Sequence, residues 1–171
     1  MKQNNKISSK FDKSFIKFVL KLTLYMSVYY IFIGFKFSQI ITDFLAHTTA
    51  IKSNYLLNLF NFNTRYIESV IFGDTFSIKV AFGCEGSEPL ALFIATLLSS
   101  KASLKMKSIG ILIGSVILTF WNDIRVFLLY VIGNNHNSLF EIMHDDIFPL
   151  LSILLSLSLF YVWLTLNKKY S

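Results

Sequence analysis

Residues 108–133 read SIGILIGSVILTFWNDIRVFLLYVIG, and this stretch decides the fold. It exceeds the roughly 20 predominantly apolar residues that a helix needs to cross a bilayer. Its only charges are Asp123 and Arg125, both in its second half. Similar apolar runs occupy residues 20–41, 86–100 and 147–166, the first interrupted by Lys36. The run at 86–100 is short for a perpendicular helix, so its neighbours or the residues leading in from Gly83 must make up the deficit. The whole chain agrees with this reading: 171 residues are 54% hydrophobic and 15% charged, with a mean hydropathy of +0.56. The expected class is an all-α polytopic membrane protein, one domain over residues 1–171 with about four transmembrane helices.

The lysines orient the spans. Lys2, Lys6, Lys10, Lys13, Lys17 and Lys21 precede the first; Lys101, Lys105 and Lys107 fill the loop after the second; Lys168 and Lys169 follow the fourth. Of the ten acidic residues only Asp12 shares those segments. The positive-inside rule then puts both termini and the 101–107 loop in the cytoplasm of a plasma (inner) membrane protein. Orientation and anionic lipid headgroups account for the net charge of +6, so no nucleic acid is expected. A long N-terminal apolar run without a small-residue cleavage site reads as an uncleaved signal anchor.

Residues 42–84 form the one sizeable segment between spans, expected on the outer face. From Ile51 to Phe62 the apolar residues Tyr55, Leu56, Leu59, Phe60 and Phe62 suit a helix lying on the interface. From Tyr66 to Phe82 a period-two alternation surrounds Gly73-Asp74, the pattern of a β-hairpin. Its second strand leads into Cys84. That strand is either part of a membrane-lying cap or an edge that pairs with an extended peptide.

Cys84 is the only cysteine, so it forms no intramolecular disulfide. It is either a small buried hydrophobe or a nucleophile. It precedes a helix that Ser87 or Glu88 can cap and whose first turn suits Pro89. The positive helix end favours thiolate, whereas Glu85 and Glu88 oppose it, so a reactive thiol needs a basic partner. Arg125 lies 18 residues beyond Lys107, which at 1.5 Å per residue is about 27 Å across the membrane, level with Cys84. It is either a functional charge facing the interior, with Asn122 on its side of the helix, or an Arg that snorkels or pairs with Asp123. His144, in Met143-His144-Asp145-Asp146 before the last span, can take a proton near neutral pH, with Asp145 or Asp146 to orient it. His47 and His136 compete for that role. No two potential ligands have metal-binding spacing, so no metal is expected.

The order Cys84, Arg125, His144 at the outer ends of three consecutive helices resembles the exosortase/archaeosortase family of membrane cysteine transpeptidases. The matching pieces are Gly83-Cys84-Glu85-Gly86 with Glu88-Pro89-Leu90-Ala91-Leu92-Phe93, then Asn122-Asp123-Ile124-Arg125-Val126, and His144-Asp145-Asp146. The Cys-Glu-x-x-Glu-Pro form and the short length look most similar to the exosortase H branch. The resemblance covers roughly residues 65–166, and larger members carry more spans, a departure that touches substrate docking rather than the trio. It implies a protease/transpeptidase with catalytic Cys84, Arg125 and His144, supported by Asn122 and Asp145, working through a thioester without metal or organic cofactor. The implied partners are the lipid bilayer and membrane-anchored proteins ending in a sorting motif, a transmembrane helix and a basic tail. The rival reading is a non-enzymatic scaffold or assembly subunit; a transporter is disfavoured because no span carries a polar group near mid-membrane.

Reporter fusions at Ser103 and Asn137 should report opposite sides of the membrane. Matching signals would refute the four-span arrangement.

Overall fold

A computed structural model describes the backbone of residues 2–170 and the side chains of residues 13–136 and 138–168. The side chains of Lys2, Lys6, Lys10 and Lys169, part of the charge pattern above, lie outside the described residues. Six α-helices carry the chain: α1 (Lys2–Ile33), α2 (Lys36–Leu59), α3 (Ser87–Ser99), α4 (Leu104–Asn135), α5 (Asn137–Ile142) and α6 (Phe148–Tyr170). Three short strands, β1 (Arg65–Ile67), β2 (Val70–Phe72) and β3 (Ser77–Lys79), sit between α2 and α3.

Three helical stretches are long and apolar enough to cross a membrane: Lys13–Ile33, Leu104–Asn135 and Ser138–Lys168. The protein is thus a mostly helical polytopic membrane protein. Their outward faces carry Leu20, Leu24, Ile31, Leu112, Val116, Leu150 and Leu154, all exposed, as a lipid-facing surface requires. The fourth apolar helix, α3, has 13 residues, which at 1.5 Å each covers about 20 Å of a 30 Å hydrocarbon core. It packs against α1, α4 and α6, so its polar ends meet protein instead of lipid tails.

The first apolar run departs from the expected 20–41. Its helix stops at Ile33, and residues 36–41 begin a second helix instead. Gly34 and Phe35 tighten the last turn with bonds to Tyr30, Ile31 and Phe32 carbonyls. Phe35 is extended, and buried Ser38 donates from Oγ to the carbonyls of Ile33 (2.8 Å) and Phe35 (2.7 Å). That hydroxyl reaches the Ile33 carbonyl, which the broken helix leaves unpaired, whereas the Phe35 carbonyl also accepts from Ser38 N–H at 3.0 Å. The outer helix accordingly runs from Lys36, well before Ile51. Its small residues face the protein: Ala46, Thr49, Ala50 and Ser53 are buried with Leu57, while Tyr55, Leu59 and Phe60 are exposed. Small residues allow α2 to lie close against α4. Lys52 Nζ reaches Asp123 Oδ2 at 2.8 Å, and Ser53 Oγ donates to the Asp123 carbonyl at 3.1 Å.

The sheet is antiparallel in the order β1-β2-β3. The expected hairpin around Gly73-Asp74 is β2–β3, with Val70 opposite Lys79 and Phe72 opposite Ser77. The expected first strand is itself folded in two, because Glu68 takes a positive φ and turns β1 back along β2. Ile71, Ile78 and Val80 are buried against Val126, Leu129 and Tyr130 of α4.

A second core lies towards the lysine-rich end, formed by Phe93, Leu97, Leu118 and Trp163. Two glycines of α4 make it possible. A Cβ at Gly114 would fall within the Phe93 ring, and one at Gly110 would collide with Trp163 and Leu97. Gly114→Val should therefore destabilise the purified protein by about 1–3 kcal/mol, the usual cost of overpacking. Thermal unfolding in detergent would check this; an unchanged midpoint would mean that α3 and α4 do not meet there.

Candidate active site

Cys84 sits in a loop between two glycines with positive φ, Gly83 (+86°) and Gly86 (+85°), a region that L side chains rarely adopt. The loop returns from β3 and enters α3 at Ser87, three residues after Cys84. Cys84 N–H donates to the Ala81 carbonyl at 2.9 Å. α4 pins it from the other side: Asn122 Nδ2 donates to the Cys84 carbonyl at 2.9 Å, and Arg125 Nη1 to the Gly83 carbonyl at 3.2 Å. A Cβ on Gly86 would lie 2.8 Å from Asn122 Cγ, so both φ and space demand glycine there. Gly86, not Ser87 or Glu88, occupies the cap position of α3. Ser87 Oγ donates instead to Glu85 Oε1 at 2.6 Å and meets Tyr29 Oη at 2.7 Å, tying the loop to α1.

His144 comes from the other flank. Residues Met143–Ile147 are wound as a π-helix between α5 and α6, an irregularity frequent at functional sites because it re-aims side chains. His144 Nε2 lies 2.7 Å from Cys84 Sγ, and its Nδ1 lies 2.5 Å from Asp145 Oδ1. An ionised carboxylate only accepts, so Nδ1 carries the proton and Nε2 faces the thiol as an acceptor. Phe140 stacks on the imidazole at 5.5 Å, holding its plane.

These groups share a cavity of about 380 Å³, lined by Cys84, Arg125, His144 and Asp145 with Met26, Tyr30 and Glu88 among others. Met26, Tyr30 and Leu92 also line an adjoining groove of about 660 Å³ along α1. Cys84, Glu85, Asn122 and Arg125 are all buried. Burial pushes the Cys84 thiol above its ordinary range; the Arg125 charge pulls it down, and Glu85 and Asp145 push it up again. Burial thus favours the neutral thiol, which must lose a proton to become a nucleophile.

The structure brings Cys84, Arg125, His144, Asn122 and Asp145 together. Asp146 and the other histidines do not line the cavity. His47 Nδ1 lies 2.7 Å from the Glu68 carbonyl, and His136 ends α4. Asp123 pairs with Lys52 rather than with Arg125. Sequence reasoning weighed Glu85 only as a repelling charge and missed its structural part: its carboxylate is buried, with Oε2 lacking a hydrogen-bond partner, as does Arg125 Nε. The signal available was its place beside the lone cysteine in a glycine-flanked run. Tyr29, Met26 and Tyr30 carried no such signal, because nothing in α1 marks which face meets α3.

The family model for transmembrane exosortases matches residues 13–164. No curated protein and no solved structure matched the chain.

Alkylation of Cys84 by iodoacetamide should rise with pH at a midpoint above that of an exposed thiol. Arg125→Gln removes the one charge favouring thiolate, so the midpoint should move further up and mildly alkaline alkylation should slow several-fold. A midpoint below that of free thiols would show that the thiolate is the resting form.

Proposed function

The chain belongs to the transmembrane exosortase family, and from that premise we propose that it is a membrane cysteine protease/transpeptidase acting on proteins with a C-terminal sorting signal. The observation that carries the reading is the 2.7 Å contact between Cys84 Sγ and His144 Nε2 inside a cavity that Arg125 also lines. Cys84 is the nucleophile, His144 the general base and Asp145 its orienter. Asn122 holds the loop carbonyl, so it positions the thiol.

The steps balance within this set. A substrate carbonyl carbon enters beside Cys84, the thiol proton passes to His144 Nε2, and sulfur bonds to that carbon. The resulting oxyanion needs a preorganised donor. Arg125, whose side chain lines the cavity, supplies one, while Nη1 stays on the Gly83 carbonyl. Collapse breaks the C–N bond, and the imidazolium returns its proton to the departing amine, leaving a thioester on Cys84. Water or an acceptor amine, deprotonated by His144, then releases the acyl group by hydrolysis or transfer. A neutral thiol suits this order, since a base in contact with it removes the proton as the bond forms.

Lateral access supports a membrane-anchored substrate. The groove along Leu22, Met26, Tyr30 and Leu92 continues from the cavity down α1, room for a helix whose cleavage site stands at the loop. Lys17, Lys21, Lys101 and Lys168 gather at the opposite end of the bundle, which the positive-inside rule assigns to the cytoplasm of the plasma (inner) membrane. The chemistry then faces outwards.

The test is turnover of a tagged candidate substrate in membranes, with protein level as control. Cys84→Ala should lower turnover at least about 10³-fold without changing abundance; full activity would leave a scaffold. Arg125→Lys should lose about 10²–10³-fold, because an ammonium cannot present the guanidinium's fixed fork of donors. Near-normal turnover there would remove Arg125 from the oxyanion site. His136→Ala and His47→Ala should do far less than His144→Ala, and equal damage would displace His144 as the base.

A further inference from the structure

At the end of the bundle opposite Cys84, α1, α3 and α6 diverge around a cavity of about 510 Å³. Four lysines line it: Lys17 and Lys21 from α1, Lys101 just after α3, and Lys168 from α6. No described carboxylate lines it, and the ion pairs among the described residues are Lys52 with Asp123 and His144 with Asp145, so none of these four pairs with a described carboxylate. Four cations lining one cavity make it favourable for an anion. Two of the hydroxyls in the wall are already committed. Ser99 and Ser100 donate to the carbonyls of Ala95 (2.7 Å) and Leu97 (2.6 Å). The carbonyl at the end of α3 is likewise satisfied, since Lys107 Nζ donates to Leu98 O at 2.8 Å. The four ammonium groups are thus left for something from outside.

The other walls are apolar. Phe18 stacks on Phe160 at 5.9 Å across the seam between α1 and α6, Leu164 lies beside them, and Phe15 is 61% exposed, so the cavity wall continues into the lipid-facing surface. A dense set of cations above a greasy, outward-continuous wall matches an anion joined to hydrocarbon chains rather than a free anion, which has no use for phenyl rings. Basic pockets between membrane helices bind phosphate headgroups in this way.

We propose that this cavity is a binding site for an anionic membrane phospholipid, whose phosphate sits among Lys17, Lys21, Lys101 and Lys168 and whose acyl chains lie against Phe160 and Leu164. The site is remote from Cys84 and does not depend on the chemistry there. It joins the ends of three helices that no loop connects directly, so the lipid acts as a cross-link at the end of the bundle where α3 stops short.

The test uses full-length protein purified in a neutral detergent, with thermal midpoint and native mass spectrometry as readouts during lipid titration. Phosphatidylglycerol should raise the midpoint and remain bound, whereas phosphatidylcholine and inorganic phosphate should do neither at matched concentration. Combining Lys17→Gln, Lys21→Gln and Lys168→Gln should weaken the apparent affinity for phosphatidylglycerol at least tenfold. Lys105→Gln, at the same end but outside the cavity, should leave it unchanged. Equal effects of the two lipids would overturn the proposal, as would displacement of phosphatidylglycerol by inorganic phosphate. Equal losses from Lys105→Gln would also overturn it, by reducing the effect to diffuse surface charge. If the combined variant does not fold, the single variants Lys21→Gln and Lys168→Gln should each weaken binding measurably, and no change in either would refute the site.

Discussion

The close approach of α3 to α4 is the contact on which the rest of the structure depends. α3 is too short to cross a bilayer and survives only because longer helices surround it. Without a hydrophobic driving force between helices in lipid, such a seam relies on small residues and dense packing. Gly110 and Gly114 supply the small residues, and Phe93, Leu97 and Trp163 fill the space they leave. The same seam fixes the height and direction of the first turn of α3, and hence the loop that carries Cys84.

α4 serves as a pillar along its whole length. Its first half receives α3 and α6, and Asn122 and Arg125 grip the two carbonyls of the cysteine loop. Beyond them, Tyr130 packs on Phe62 and Phe76, and Gly133 leaves room for the Phe76 ring. One helix therefore sets the distance between the lipid-embedded core, the thiol loop and the small sheet. Its polar residues share the work by direction. Asp123 turns towards Lys52 and holds α2, while Asn122 and Arg125 turn towards the loop. Charges at this depth are costly unless partnered, and each has a partner with a structural consequence.

Much of the site was legible because its residues are chemically conspicuous: a lone cysteine between glycines, an arginine in an apolar run, a histidine next to two aspartates. Counting helix rise from Lys107 was enough to bring Arg125 level with Cys84. The break at Gly34 was less legible, since an apolar run with one lysine reads as continuous until Ser38 is seen bonding two carbonyls across the corner. The face that α2 turns to the protein was not legible either. Hydrophobic spacing marks the large residues, whereas a helix packed closely on another buries its smallest ones. The turn at Glu68 depends on a positive φ in a residue that seldom adopts it, so no local preference announced β1 as a separate strand.

The sequence by itself determined the class of the molecule, the candidate residues of its site and the end of the bundle at which they lie. Hydropathy and charge act additively along a chain, so composition and spacing are sufficient for those conclusions. Only the tertiary structure decided that His144 rather than His47 or His136 meets the thiol, that Asp145 rather than Asp146 meets its other nitrogen, and that Glu85 is buried. It also decided that α1 completes the cavity through Met26 and Tyr30. Those outcomes depend on which helix faces turn towards one another. That choice is made by interlocking side chains from segments distant in sequence, and no single segment contains it.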